Sequence, residues 1–556
     1  MNEASAESFD YVIVGAGSAG CVLANRLTED AGASALLIEF GGSDRSLYIQ
    51  MPAALSIPMN MKKYNWGYQS EPEPHLGGRR LHCPRGKVLG GSSSINGLVY
   101  IRGNPLDFDR WEEEGAAGWG YACVLPYFRR AERRREGADP YRGADGPLAT
   151  TRGPKRNPLY DAFIEAGRQA GYPVSADLNG ERQEGFGRLD MTVKDGVRWS
   201  AANAYLRPAM KRPNLRVVTH ALATRVEFEG RRAVGVRYER GGTGRLARAR
   251  REVILCGGAI NSPQLLKLSG VGPGAELRAL GLPVVAALAG VGENLQDHLE
   301  FYFQVASKQP ITLYGKTGLF ARGLVGLQWL LGRRGDGATN HFEAGGFIRS
   351  RAGVRYPDIQ YHFLPMAVSY DGKGLAREHG FQAHVGPMRS KSRGWVRLKS
   401  ADPREAPRIL FNYMSEPDDW EDMRACVRLT REIFAQRAFD PYRGREIQPG
   451  ETIVDDEAID DFVRDRVESA YHPSCTCKMG APGDPLAVVD SQARVIGLEA
   501  LRVVDSSIMP SITTGNLNAP TIMIGEKAAD MIRGRAPPPA SDAPYYLAPH
   551  WRARQR

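Results

Sequence analysis

The stretch Asp10–Glu39, DYVIVGAGSAGCVLANRLTEDAGASALLIE, constrains this chain more than any other. Tyr11–Val14 is an apolar run of buried-strand type, and Gly15, Gly17 and Gly20 follow in a G-x-G-x-x-G pattern. Val22, Leu23 and Leu27 continue at helical spacing, and Ala35–Ile38 form a second apolar run ending on Glu39. This order predicts a strand, a phosphate-binding turn, a helix and a parallel strand. Gly15 permits the tight turn, Gly17 lets the backbone approach a pyrophosphate, and Gly20 lets helix and strand pack closely. The helix N-terminus, at Ser18 and Ala19, aims free N–H groups at the phosphates. Glu39 stands where a carboxylate can accept from both ribose hydroxyls. The pattern predicts a dinucleotide site and does not choose between NAD and FAD.

The 556 residues leave room for two to four domains and a large core. The net charge is +10, and runs such as Arg129–Arg135 and Trp551–Arg556 read as solvated faces. No nucleic-acid module accompanies that charge, so no nucleic-acid partner is expected, while peripheral attraction to an anionic membrane stays open. The N-terminus is polar and acidic, without the pattern of a signal peptide. No apolar stretch reaches about 18 residues, so no membrane span is expected. The expected location is cytoplasmic, with attachment at the inner membrane face left open. Gly323–Gly332 is apolar and flanked by Arg322, Arg333 and Arg334, and reads as a core or interfacial helix. The seven cysteines show neither zinc spacing nor a disulfide framework, which fits a reducing compartment, and no metal is expected.

Further along, Arg85–Gly103, RGKVLGGSSSINGLVYIRG, offers many backbone N–H groups and little bulk, which suits a loop lying against a large flat ligand. Leu215–Thr219, Thr224–Phe228 and Ala233–Glu239 have strand character. Glu252–Cys256 and the following GGAINSPQLLKLSGVG form another strand, glycine turn and helix. From about Leu299 alternating runs (Glu300–Val305, Asp358–Phe363, Gly394–Lys399) predict an antiparallel sheet, with helices over 318–332, 415–436 and 455–468. Leu501–Val504 then ends in Asp505, and Thr521–Arg533 is helical, which returns the chain to its first domain.

Four separated segments now match one family: GAGSAG with Glu39, GKVLGGSSSINGLVYIRG, GGAINSPQLLKLSGVG, and YHPSCTCKMG with VVDSSIMPSITTGNLNAPTIMIGEKAADMI. Together they resemble the glucose–methanol–choline family of FAD oxidoreductases, over nearly the whole chain. MPAALSIP, YNWGYQSEPEP, VGENLQDHLE, HFEAGGFIRS and FNYMS are similar to its choline-oxidising members. The resemblance implies an α/β fold: a Rossmann-like FAD-binding domain built from discontinuous segments, plus an α+β substrate domain with an antiparallel sheet. The expected division is 1–155, 201–299 and 466–535 for the FAD domain, 156–200 and 300–465 for the substrate domain, and 536–556 as a loosely ordered tail. The implied reaction is FAD-dependent oxidation of choline to betaine aldehyde and onward to glycine betaine. Another primary alcohol is the alternative, and a flavin-containing lyase or a noncatalytic flavoprotein the third reading. A membrane quinone is the favoured electron acceptor, with oxygen and a soluble carrier open.

Oxidising an alcohol removes a hydride from carbon and a proton from oxygen, and histidine is the natural proton acceptor. Of ten histidines, His472 lies in a small-residue turn near the C-terminal elements, where the resemblance places a catalytic histidine. Asn518, with Asn516 as its rival, matches the second active-site position, where an amide would hold the alcohol oxygen. The resemblance points to Glu343 as partner of the trimethylammonium, with Tyr471 and Trp66 as its aromatic cage. Phe342 would point away from Glu343 on a strand. Expected cofactor contacts are Gly15, Gly17, Ser18, Ala19 and Glu39 at the ADP half and Val226 beside the adenine. Val88, Gly91, Asn96, Gly97 and Val99 would line the flavin, and Asp505 would close the site. Ile95 stands where some relatives carry a flavin-linking histidine, so FAD is expected to be noncovalent. Cys475 replaces a glycine of the H-x-x-G-T pattern, so a positive φ there would carry strain.

Overall fold

A computed structural model describes residues 7–368 and 378–556. The strand Glu7–Val14 lies inside the first of two seven-stranded sheets. It pairs in parallel with Ala35–Ile38 on one side and Thr243–Leu255 on the other. Leu215–Val218 and Leu501–Val503 add further parallel pairs, and Arg232–Arg240 and Ala221–Glu229 an antiparallel flank. Val12, Ile13, Leu36, Leu37 and Ile254 are fully buried, as continuous apolar runs require when both sheet faces are covered. On one face the helix Ser18–Leu27 packs on the last helix, Asn518–Ile532, where Gly525 admits Ala19 and Val22. The beginning, middle and end of the chain therefore build one sheet.

The second sheet runs Arg443–Gln448, Leu299–Ser307, Gly380–Pro387, Ile359–Leu364, Ala344–Ile348 and Gly185–Arg188, all antiparallel. Glu468–Ser469 pairs with the start of Leu299–Ser307. Its strands alternate strictly. Phe301, Phe303, Tyr361, Phe363, Phe381 and Ala383 enter the core shared with the helices Pro158–Gln169 and Pro417–Phe434. Glu300, Tyr302, Gln304, Gln360, His362, Gln382 and His384 take the opposite positions, and one rung aligns Tyr302, His384 and His362. A buried sheet face of this polarity is costly unless its groups are hydrogen-bonded or used.

Several expectations change. Trp395–Arg397 pairs with Arg408–Leu410 in a separate ribbon and not with the second sheet. The arginine run is a solvated face only at Arg129, Arg133 and Arg135, which are exposed, since Arg130 pairs with Glu526 at 3.0 Å and Asp530 at 2.7 Å, and Arg134 with Asp139 at 2.7 Å. The tail 536–556 is docked. Tyr141 donates to the Pro544 carbonyl, Tyr545 to Asp109, and Arg349 to the Arg554 carbonyl, while Arg556 pairs with Glu432. Its tyrosines and arginines find partners on both domains, which its proline-rich composition concealed. Among the described residues no helix is long and apolar enough to cross a membrane.

Candidate active site

One long cleft lies between the two sheets, lined by residues from Val14 to Thr521. At one end stands the glycine turn. Gly15 has φ +101°, and a Cβ there would meet the Cys256 carbonyl oxygen at 2.5 Å. A Cβ on Gly17 would meet nothing nearer than 3.7 Å, so that glycine faces the open cleft. The helices Ser18–Leu27, Gly258–Leu268 and Asn518–Ile532 all bring their first residues to the cleft wall. Three such ends favour an anion there. Glu39 is buried, accepts from the Ala16 and Gly41 N–H groups at 2.9 and 2.7 Å, and burial pushes its carboxyl up to about 7. Gly91, Asn96, Gly97 and Val99 line the middle, and Asp505 accepts from the Gly258 N–H and the Ser262 hydroxyl. Behind that loop Arg198 is fully buried. It donates to the carbonyls of Ile49, Ser93 and Asn96 and to the Asn96 side chain, and burial lowers its pKa to about 9. Sequence reading missed Arg198 because nothing local marks a distant arginine as the support of a loop.

Two expected cofactor contacts fall elsewhere. Val226 is fully buried and its N–H donates to Ser269 Oγ at 2.8 Å, while Ala221, Leu222 and Ala223 of its strand reach the cleft. Val88 is fully buried in a small core with Ile49, Met59, Tyr64 and Ile95. In both cases the side of the backbone, not the segment, was misjudged.

At the far end His472 is half-buried and joined to Asn516, whose Nδ2 lies 3.1 Å from His472 Nε2. Asn518 is not at this position. It is the first residue of the last helix, and its Oδ1 accepts from Ser18 Oγ at 2.8 Å beside the glycine turn. Two residues further along the chain carry it past the start of the helix and to the other part of the cleft. His472 Nδ1 lies 3.1 Å from His298 Nδ1, and His298 Nε2 lies 3.1 Å from the Met388 carbonyl. The tautomers follow from that carbonyl, which only accepts. His298 must carry its proton on Nε2, its bare Nδ1 must accept from His472 Nδ1–H, and His472 Nε2 is left bare toward Asn516. Burial, followed by the nearby His298, His362 and Arg85, holds His472 well below the usual histidine range, so it is neutral and ready to accept a proton. Asp297 fixes the turn. One oxygen accepts from the His472 N–H at 2.6 Å, and the other from Tyr413 and Ser469 at 2.6 and 2.5 Å.

Glu343 does not face this cleft. Its carboxyl accepts from the Thr339 hydroxyl at 2.7 Å and from the Lys155 N–H, on a separate pocket beside His341 and Tyr160. Neighbouring side chains on extended backbone point oppositely, so Phe342 faces the cleft, 5.3 Å from the His384 ring and 6.0 Å from His362. The carboxylate at this end of the cleft is Glu300, which accepts from His384 Nδ1 at 2.9 Å. Gln382 donates to His384 Nε2 at 2.7 Å, since its Oε1 already accepts from the Val368 N–H and from Gln304. These contacts turn the Nδ1–H of His384 toward Glu300. Among the described residues no lysine or arginine pairs with Glu300. Glu300 and His362 were legible only as members of alternating runs, His298 only within the VGENLQDHLE stretch, and no pattern marked His384. Tyr471 lines the cleft beside His472, and Trp66 lines it as well, stacked on Phe40 at 4.9 Å and Tyr68 at 5.7 Å. Cys475 has φ +73°, the left-handed conformation expected for the glycine it replaces.

Family models described as GMC oxidoreductase match residues 9–300 and 390–525 of this chain. The chain belongs to the GMC oxidoreductase family. A Brucella ovis protein named oxygen-dependent choline dehydrogenase is 60% identical over 98% of this chain and 100% of its own length. A Sinorhizobium medicae protein of the same name is 58% identical over the same shares. Among solved structures, pyridoxine 4-oxidase from Mesorbium loti aligns with a TM-score of 0.86 at 31% identity, over 95% of this chain and 100% of that one. A formate oxidase variant from Aspergillus oryzae, solved for its FAD modification, aligns with a TM-score of 0.89 at 26% identity, over 95% and 98%. The cleft of this GMC oxidoreductase fits FAD. The exposed Gly17, three helix N-termini and buried Glu39 suit the ADP half, and the small-residue loop at 91–97 leaves room for a flat ring.

Proposed function

We propose that this enzyme oxidises choline to betaine aldehyde with noncovalent FAD, and that Glu300 is the counter-charge for the trimethylammonium. The observation that carries this reading is the meeting, in one cleft, of a neutral base and a carboxylate: His472 with Asn516, and Glu300 with His384. A quaternary ammonium cannot donate a hydrogen bond, so it is held by charge and by aromatic faces. Glu300 supplies the charge, and Tyr471 and Phe342 the rings. FAD, when bound, supplies the hydride acceptor. His472 Nε2 takes the hydroxyl proton, because His298 keeps the other ring proton on Nδ1. Asn516 Nδ2 donates to the alcohol oxygen and steadies the charge that develops there. The buried polar sheet face keeps bulk water from competing for either group. The names of the bacterial relatives support oxygen as electron acceptor, and parallel assays with oxygen and a soluble quinone decide between that and a quinone.

Anaerobic mixing with choline tests the reading directly, since the flavin absorbance should bleach. His472→Ala should retain FAD and not bleach, and normal bleaching in it would remove the base assignment. Glu300→Gln should lower kcat/KM for choline by roughly 100-fold, the scale of losing one desolvated charge partner. It should barely affect 3,3-dimethylbutan-1-ol, the neutral isostere. Glu343→Gln should leave that discrimination unchanged. An equal loss for both alcohols in Glu300→Gln would refute the counter-charge role.

A further inference from the structure

Five arginines are buried among the described residues, and four of them pair with carboxylates. Arg102 meets Glu132, Arg142 meets Glu132, Asp177 and Asp190, Arg349 meets Glu184, and Arg502 meets Glu252. Arg198 is the exception. It is fully buried, and no carboxylate among the described residues pairs with it. Its Nε and Nη1 donate to carbonyl and amide oxygens alone, and its Nη2 is buried with no partner among the described residues. Burial lowers its pKa to about 9, so the guanidinium is still charged at neutral pH. A buried charge without a counter-charge is costly, and such a group asks for a use.

The surroundings say what that use is. Arg198 ends the short strand Val197–Arg198, which pairs with Val193–Lys194. The next segment returns to the first domain, where the Ala201 N–H donates to Ser93 Oγ and Ala202–Leu206 packs on the helix Ser18–Leu27. The guanidinium is thereby set against the back of the 91–97 loop, whose other side lines the cleft. Its Nη1 holds the Asn96 carbonyl at 2.8 Å. In a trans peptide the N–H points opposite to the carbonyl. The Gly97 N–H therefore faces away from Arg198, on a residue that lines the cleft, and it has no acceptor among the described residues. Holding carbonyls needs only donors, as the neutral Asn203 amide shows by holding the Arg198 carbonyl at 2.7 Å. The positive charge is more than the clamp requires.

We propose that Arg198 is a positioning residue that also tunes the flavin: it turns the Gly97 N–H toward the cleft and sets one unpaired positive charge behind that wall, so that bound FAD is easier to reduce. When the alcohol is oxidised, its carbon gives up a hydride, two electrons with one proton, to FAD, and its hydroxyl proton goes to His472. The flavin thus gains one negative charge at that step. In a cleft shielded from water, a fixed cation one peptide layer away favours the charged product over the neutral start. The role requires bound FAD and holds whichever alcohol is oxidised.

Sulfite is the probe. It adds to oxidised flavin as an anion and bleaches the flavin band with no alcohol and no base, so its Kd reads the charge around the ring. Equilibration with a reference dye reads the potential in parallel. Arg198→Gln keeps donors and loses the charge. Its sulfite Kd should rise about tenfold, and its oxidised-to-reduced ratio against the dye by the same factor, about 30 mV for a two-electron couple. Arg198→Lys should keep both values near wild type while retaining FAD less well, since a point charge replaces the fork. Asn96→Asp leaves the fork in place and puts a carboxylate where the Asn96 amide oxygen meets Nη1 at 2.9 Å, so it should repeat the Arg198→Gln shifts with FAD bound. An Arg198→Gln variant that holds FAD and keeps the wild-type values overturns the proposal. So does an Arg198→Lys variant that shifts as far as Arg198→Gln, for geometry and not charge is then at work. Should Arg198→Gln hold no FAD, Asn96→Asp decides: wild-type values in it overturn the charge role, and the expected shifts sustain it.

Discussion

His472 needs no charged neighbour to be a base, because a carbonyl two residues away in the hydrogen-bond chain dictates which nitrogen is bare. Asn516 and Asn518 show how finely such roles divide. Removing the Asn516 amide should lower kcat by about 100- to 1,000-fold, as for a donor to a developing oxyanion, with FAD still bound. Asn518→Ala should instead weaken FAD retention, through the lost contact with Ser18, and leave kcat of the loaded enzyme nearly intact. Stopped-flow bleaching and FAD titration separate the two, and the reverse pattern would restore Asn518 as the oxygen holder. The sequence carried both asparagines in one motif. It did not carry where the helix begins, and that single boundary decides which amide reaches His472. Cys475 was legible in the other direction, since a residue replacing an expected glycine does occupy the left-handed region. Cys475→Gly should relieve about 1 kcal/mol of backbone strain and lose a similar amount of buried contact. Cys475→Ala loses the contact and keeps the strain. Urea denaturation should therefore find the glycine variant about 1 kcal/mol more stable than the alanine variant.

At the scale of elements, the glycine turn and its strand were readable because every residue involved is within one continuous stretch. The sheet floor was only half readable. Alternation in Glu300–Val305 announced a strand, but which polar residues share a rung depends on register with Ile359–Leu364 and Gly380–Pro387, far along the chain. Glu343 was misplaced for the same reason: the motif located the segment, and only the strand's direction shows that Phe342 faces the cleft. The turn element makes its own pH prediction. In the cofactor-free protein burial raises the Glu39 carboxyl to about 7. The ionised form is the one that accepts from ribose hydroxyls, so FAD binding expels a proton when Glu39 starts protonated. Affinity must then rise with pH through 7 and fall below it. Fluorescence titration of the apoprotein should give FAD binding about tenfold tighter at pH 8 than at pH 6. Glu39→Gln should flatten this dependence, and a wild type without it would mean that Glu39 is ionised before FAD arrives.

Over the whole molecule, two sheets share one cleft and must be held in register for His472 and Glu300 to serve the same substrate. The C-terminal tail is one of the ties. Before it leaves the first domain it lies against Ala122, Asp109 and Tyr141, and it ends on Arg349 and Glu432 of the second. Arg182 stacks 4.0 Å over Tyr546 midway. Nothing periodic in APPPASDAP foretold this, because a strap needs no secondary structure, only partners spaced along its path. Ending the chain at Arg535 removes about ten such hydrogen bonds, roughly 10 kcal/mol at the usual net value. The unfolding entropy of a chain this long spreads that loss, so the apparent Tm should fall by about 9 °C. The more telling signature is cooperativity. If the tail couples the two domains, calorimetry of the truncated holoenzyme should resolve a broad or double transition where the full chain gives one, and KM for choline should rise more than FAD is lost. A truncated chain that melts in one transition at the wild-type temperature would show that the cleft itself holds the sheets together.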